Sequence, residues 1–113
     1  MTDNLTIDER DADKASMRLK DLQLTAELLS EAVAQENGAR ERVAERHGIQ
    51  KSVITDRVRR MERFFEVKLF TGPQRKTPTA AGRKMARYGP RLIDEIGHFA
   101  DILRDAQKDD EVH

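Results

Sequence analysis

The chain has 113 residues, of which 37% are hydrophobic and 37% charged, with 21 basic and 21 acidic side chains and no cysteine. That length holds one domain with tails, and so polar a composition implies a small core or one completed by a second subunit. It excludes a disulfide framework and a thiolate metal site, and no apolar run approaches the ~18 residues that cross a bilayer.

The balanced net charge hides a segregation. Residues 38–91 carry fifteen Lys/Arg against five acids, a net of +10, whereas residues 1–37 and 92–113 each net −5. A basic middle between acidic ends implies that one part of the molecule meets a polyanion and the ends do not. The acidic, polar stretch 1–16 is no signal peptide and reads as a disordered tail. Lack of cysteine suits a reducing cytosol.

Residues 17–36 predict a helix. Leu22, Ala26, Leu29 and Val33 share one face on a 3.6-residue period, and Leu24, Leu28 and Met17 fall opposite, so this helix packs against two neighbours. Asn37-Gly38 is a C-terminal stop signal. Residues 39–47 predict a short helix that buries Val43 and Ala44 and breaks at Gly48. Residues 50–65 predict a third helix, with Ile54, Val58, Met61 and Phe65 within about 40° of one direction. Its opposite side begins with Ser52, Thr55 and Asp56 and ends in Arg59 and Arg63.

Val67-Lys68-Leu69-Phe70 alternates like a strand, Gly72-Pro73-Gln74 makes a turn, and Arg75-Lys76-Thr77 can return as a second strand. The result is a basic β-wing. Thr79 reads as the N-cap of a long helix over 80–106, with a charged tail over 107–113. Ala81, Met85, Tyr88, Leu92, Ile96, Phe99 and Leu103 recur at steps of three and four, a coiled-coil-like seam. Pro90 inside it predicts a kink near Arg87.

Helix, short helix, glycine turn and helix is the order of a helix-turn-helix, in which one helix braces while the next lays a polar face in the major groove. Gln50, Lys51, Ser52, Thr55 and Asp56 supply short or polar base-reading groups, and Arg59, Arg60 and Arg63 supply phosphate ligands. Asp56 is either a cytosine reader or an ion-pair partner of Arg59, Arg60 or Lys51. Arg75 and Lys76 on the wing, and Arg83, Lys84 and Arg87 beyond it, extend the basic face. Thr79 caps the helix, touches a phosphate, or does both. The three histidines (His47, His98, His113) lack ligand spacing, so no metal is expected. No phosphate loop, nucleophile elbow or carboxylate dyad marks an enzyme.

The run from Glu45-Arg46-His47-Gly48-Ile49 through Ile54-Thr55-Asp56-Arg57-Val58-Arg59-Arg60-Met61-Glu62, then Val67-Lys68-Leu69-Phe70 and Thr79-Ala80-Ala81-Gly82, resembles the N-terminal winged helix-turn-helix of LysR-type transcriptional regulators. The likeness covers residues 19–103. Several positions depart from the family's pattern. Lys51 stands where its DNA-reading Gln usually is, Thr55 where Ser is, Glu66 where Gly precedes the wing strand, His47 where Leu ends the second helix, Ala39 where Ser caps it, and Gly72 where an Arg often follows Leu-Phe. Base preference therefore does not carry over.

The expectation is a mainly α fold with a small β-wing: a winged helix-turn-helix over 17–79 and a long C-terminal dimerisation helix over 80–106. The resemblance implies a homodimer joined through the long helix, and the seam Met85, Tyr88, Leu92, Ile96, Phe99 and Leu103 supports it. The competing possibility is that the seam packs on its own domain. The implied partner is double-stranded DNA with a roughly palindromic operator, in a cytoplasmic, nucleoid-associated bacterial regulator. No cofactor and no membrane partner are expected. The family's effector domain would follow the long helix, where this sequence stops, so no small-molecule effector is expected either. The alternative is an interaction module that modulates another regulator through its long helix.

Overall fold

The computed structural model describes residues 17–112; the expected acidic tail over 1–16 lies outside them. Its first helix, α1 (Leu19–Ala34), buries Leu22, Ala26 and Leu29 together with Leu24 and Leu28. Both predicted faces are thus covered, by α2 and α3 and by the long helix α4. Val33 and Met17 are the exceptions and stay exposed near the two ends of α1.

Helix α1 stops at Ala34, before the glycine expected to end it. Gly38 instead opens the next helix. Its left-handed backbone (φ +79°) turns the chain, and its carbonyl accepts the Arg42 N–H at 3.0 Å. Helix α2 (Ala39–His47) has the predicted bounds, and Gly48 at φ +64° ends it. Helix α3 (Lys51–Phe65) follows, with Gln50 at its N-cap. Ile54, Val58 and Met61 are fully buried, as their common direction predicted. Phe65 departs from that set. It is half-exposed, its ring edge-on to Phe64 with centroids 4.9 Å apart.

The chain leaves α3 through Glu66 in the left-handed region (φ +58°), the position where the family pattern has glycine. Here the departure has a cost, because a Cβ crowds the backbone in that region.

The wing is smaller than its sequence suggests. Strands β1 (Phe70–Thr71) and β2 (Thr77–Pro78) pair antiparallel, Phe70 opposite Pro78 and Thr71 opposite Thr77. Val67 and Lys68 do not join the ladder. The Val67 N–H is bound to the Glu62 carbonyl at 3.1 Å, which closes the end of α3. Gly72 (φ +82°) and a single 3₁₀ turn, Pro73–Arg75, connect the strands, so Arg75 lies in the turn rather than on a strand.

Helix α4 (Ala80–Val112) runs unbroken through Gly89-Pro90 and continues past Ala106 over most of the predicted charged tail. Thr79 caps it, its hydroxyl accepting the Gly82 N–H at 3.0 Å. Two glycines set the closeness of packing. A Cβ on Gly82 would collide with the Leu69 carbonyl and stand 2.9 Å from Leu29 Cδ2, and one on Gly89 would stand 3.0 Å from Ala26 Cβ. Leu28, Leu29, Val43, Ile54, Met61 and Leu69 are fully buried at the centre. The 60 Å long axis of the molecule reflects a 33-residue helix, about 50 Å at 1.5 Å per residue.

Candidate nucleic-acid interface

Burial of Ile54, Val58 and Met61 fixes the rotation of α3, and so fixes which side faces out. Gln50, Lys51, Ser52, Asp56, Arg59 and Arg63 are exposed, and Thr55 is partly buried beside them. The helix presents hydrogen-bonding groups at its N-terminal end and guanidinium groups farther along, within one face. Lys51 rests on α2, its Nζ 3.0 Å from Glu41 Oε2, with both side chains more than half exposed. So exposed a pair is weak and yields readily to a base or phosphate. The Lys51 ammonium, with the Glu41 backbone, leaves the Glu41 carboxyl below its usual range. Asp56 makes no ion pair with Arg59, Arg60 or Lys51 among the described residues.

Two of the expected phosphate ligands are turned inward. Asp21 on α1 is almost wholly buried, and Arg60 Nη1 donates to its Oδ2 at 3.2 Å, with Arg57 Nε 3.6 Å from Oδ1. A buried carboxylate left without a cation is strongly unfavourable, so Arg60 is held to the body of the domain. Arg75 does the same for Glu62. That carboxylate is 9% exposed, pairs with Arg75 Nη2 and accepts the Leu69 N–H at 2.7 Å. The wing base of the sequence reading is therefore a tie between the wing and α3.

The rest of the wing is fastened to the corner between α1 and α2. Lys76 Nζ donates to Asn37 Oδ1 at 3.1 Å and the Thr77 hydroxyl to Glu36 Oε2 at 3.0 Å. Arg40 Nη1 donates to the carbonyls of Gln74 (3.4 Å) and Arg75 (2.9 Å), while its guanidinium lies 4.8 Å over the Phe70 ring. Burial, and then the nearby Arg75, lower the Arg40 pKa. Thr79 spends its hydroxyl on structure, donating to the Lys68 carbonyl at 2.6 Å while it caps α4. Beside α3 lies a shallow cleft between helix and wing, lined by Arg59, Arg63, Lys68 and the exposed Glu66, with the Arg75–Glu62 ion pair at its wall.

Residues 28–83 match the model of a family described as bacterial regulatory helix-turn-helix protein, lysR family. The chain carries a LysR-type helix-turn-helix domain. The match begins within α1 and ends in the first turn of α4, so the LysR-type segment spans the brace, the recognition helix and the wing. The match supports a DNA-binding protein of transcription regulation, and the matched family is one of regulators. No curated protein and no solved structure matches it. No helix among the described residues is long and apolar enough to cross a membrane.

The structure adds Glu62, Asp21 and Arg40 as residues that hold the face in place; in the sequence Glu62 stands only within the family-like run, and neither Asp21 nor Arg40 is marked as an anchor. Asp21 had one available signal: a lone acid between apolar positions, facing a helix rich in arginine.

Proposed function

We propose that the protein is a sequence-specific regulator that binds double-stranded DNA as a homodimer. The observation that carries this is the exposed face of α3, where Ser52, Asp56, Arg59 and Arg63 stand outward while Ile54, Val58 and Met61 lock the helix to the core. Gln50, Lys51, Ser52, Thr55 and Asp56 read base edges at the N-terminal end of the helix. Arg59, Arg63 and the neighbouring Lys68 and Lys76 position it on phosphates. Arg60, Arg75 and Thr79 act one step back, holding the face in place.

Dimerisation is supported by α4. Of the expected seam, Tyr88, Leu92, Ile96, Phe99 and Leu103 are all at least 36% exposed in the single chain, whereas Met85, its first member, packs on the core together with Ala86 and Ile93. An apolar stripe of that length on so polar a protein marks an association surface. Two copies present two recognition helices and so call for a roughly palindromic site.

The test is DNA affinity as a function of salt, on DNA recovered by in vitro selection. With Arg59 and Arg63 on phosphates, log affinity falls with log salt by about 0.9 per contact, and Arg59→Ala lowers the slope by about that amount. Lys51→Ala relaxes preference at one base position, worth about 1–3 kcal/mol. Affinity independent of salt, or no preference among selected sequences, would overturn the reading.

A further inference from the structure

The basic middle of the chain carries an acid on its reading side. Glu41, in the first turn of α2, is exposed. It shares a shallow hollow with Lys51 and Thr55 of α3 and with Gln74 and Lys76 of the wing. Its Oε2 lies 3.0 Å from Lys51 Nζ. The other cations of the hollow are engaged elsewhere, Arg40 with the turn carbonyls and Lys76 with Asn37. The charge of Glu41 therefore acts on Lys51, one of the positions where the chain departs from the family pattern.

Lys51 is the first residue of α3, and Gln50 before it puts no side-chain cap on the helix. A helix start with free N–H groups and a positive dipole draws phosphate. A lysine there, a point charge on a flexible stem, would follow the phosphate. Glu41 changes that balance. A carboxylate beside the ammonium repels a phosphate but not the neutral O6 and N7 acceptors of guanine. The ammonium has N–H donors to spare, so it keeps Glu41 and still serves a base edge. So exposed a pair does not lock Lys51 in place. A bias against the wrong contact needs no lock, only a penalty on that contact.

We propose that Glu41 is a positioning residue for base recognition, which aims Lys51 at a guanine edge and away from the DNA backbone. This rests on Lys51 being a base contact, as in the function proposed above, and adds the group that makes it one. Together Glu41 and Lys51 leave no net charge at that corner of the reading face. Phosphate binding along α3 is then left to Arg59 and Arg63, beyond the base-reading end.

The experiment uses the full chain and DNA recovered by in vitro selection on the parent, with circular dichroism to confirm the fold of each variant. Lys51→Ala locates the base pair that Lys51 reads, and affinity is measured with guanine and with each other base at that position. The parent prefers guanine there by about tenfold or more. Glu41→Gln binds DNA lacking that guanine more tightly than the parent does, and its preference drops to about threefold or less. Its log affinity also falls more steeply with log salt, by about 0.9, the mark of one added phosphate contact. In Glu41→Gln/Lys51→Ala the slope returns to the parental value, because the added contact is made by Lys51. Parental preference and slope in Glu41→Gln overturn the positioning role. So does a lost preference without a steeper slope, or a steeper slope that survives Lys51→Ala. A different failure is Lys51→Ala that weakens all sequences alike and flattens the slope by itself. Lys51 then sits on phosphate in the parent chain, and the base contact falls together with the role of Glu41.

Discussion

Arg75 in the wing turn reaches across to the Glu62 carboxylate near the end of the recognition helix, and this ion pair is what the basic wing is built around. The guanidinium is about one third exposed and the carboxylate 9% exposed. Arg75→Ala is expected to destabilise the fold by about 1–3 kcal/mol, a figure reduced from the fully buried case because one partner is wetted. The slope of DNA affinity against salt should stay at the parental value, since the side chain holds structure rather than phosphate. Arg59→Ala should behave in the opposite way, within about 0.5 kcal/mol of parental stability but with a shallower slope. Urea denaturation and salt titrations on both variants check the pair.

Glu66→Gly should stabilise the protein. Its backbone at φ +58° suits glycine, and relief of the Cβ clash outweighs the added freedom of the unfolded chain by about 0.5–1 kcal/mol. The urea midpoint rises while the denaturant slope stays constant.

Glycines within α4 should respond to alanine in opposite directions. Gly82→Ala forces a methyl group into the Leu69 carbonyl and against Leu29, so the junction of β1, α1 and α4 must open, and a loss of several kcal/mol is expected. A Cβ at Gly97 meets nothing within 4 Å, and Gly97→Ala should gain about 0.8–1.0 kcal/mol from helix propensity alone. Thermal melts of the two variants separate packing from propensity.

Acid should loosen the brace between α1 and α2. Burial raises the Glu27 carboxyl, but hydrogen bonds with His47 (2.8 Å) and Arg46 outweigh it and leave the pKa lowered. Arg42 and then Arg46 lower that of Glu31. Depressed carboxylates contribute stability above their unfolded value near 4.5 and lose it as pH falls through the folded values. The stability difference between the parent chain and a Glu27→Gln/Glu31→Gln variant should therefore be present at neutral pH and shrink as pH falls below the unfolded value and through the lowered folded ones. Urea midpoints measured from pH 3 to 7 report it.

What the sequence disclosed and what it withheld divide along a physical line. Apolar spacing gave the rotation of α3 through Ile54, Val58 and Met61, and glycine at 48 marked the end of α2, because both depend on neighbours close in the chain. The pairing of Arg60 with Asp21 joins residues 39 apart in sequence, and charge type alone does not say which acid a base will find. The same limit made Arg75 look like a phosphate ligand. The wing is shorter than Val67-Lys68-Leu69-Phe70, with its strand-like alternation, implies, because the Val67 and Leu69 N–H groups are claimed by Glu62, through its backbone and its side chain. Helix α4 runs farther than its pattern implies, because its charged far end carries no apolar periodicity yet still forms helix.

The fastened wing has a thermodynamic consequence. Lys76 to Asn37, Thr77 to Glu36, Arg40 to the turn carbonyls and Arg75 to Glu62 hold the segment beside the recognition helix at several points. The conformational entropy of that segment is lost when the chain folds rather than when it meets DNA, so association starts from a preorganised surface. Its heat-capacity change should then reflect only the apolar surface the duplex covers, without the extra decrement that accompanies a loop folding upon contact.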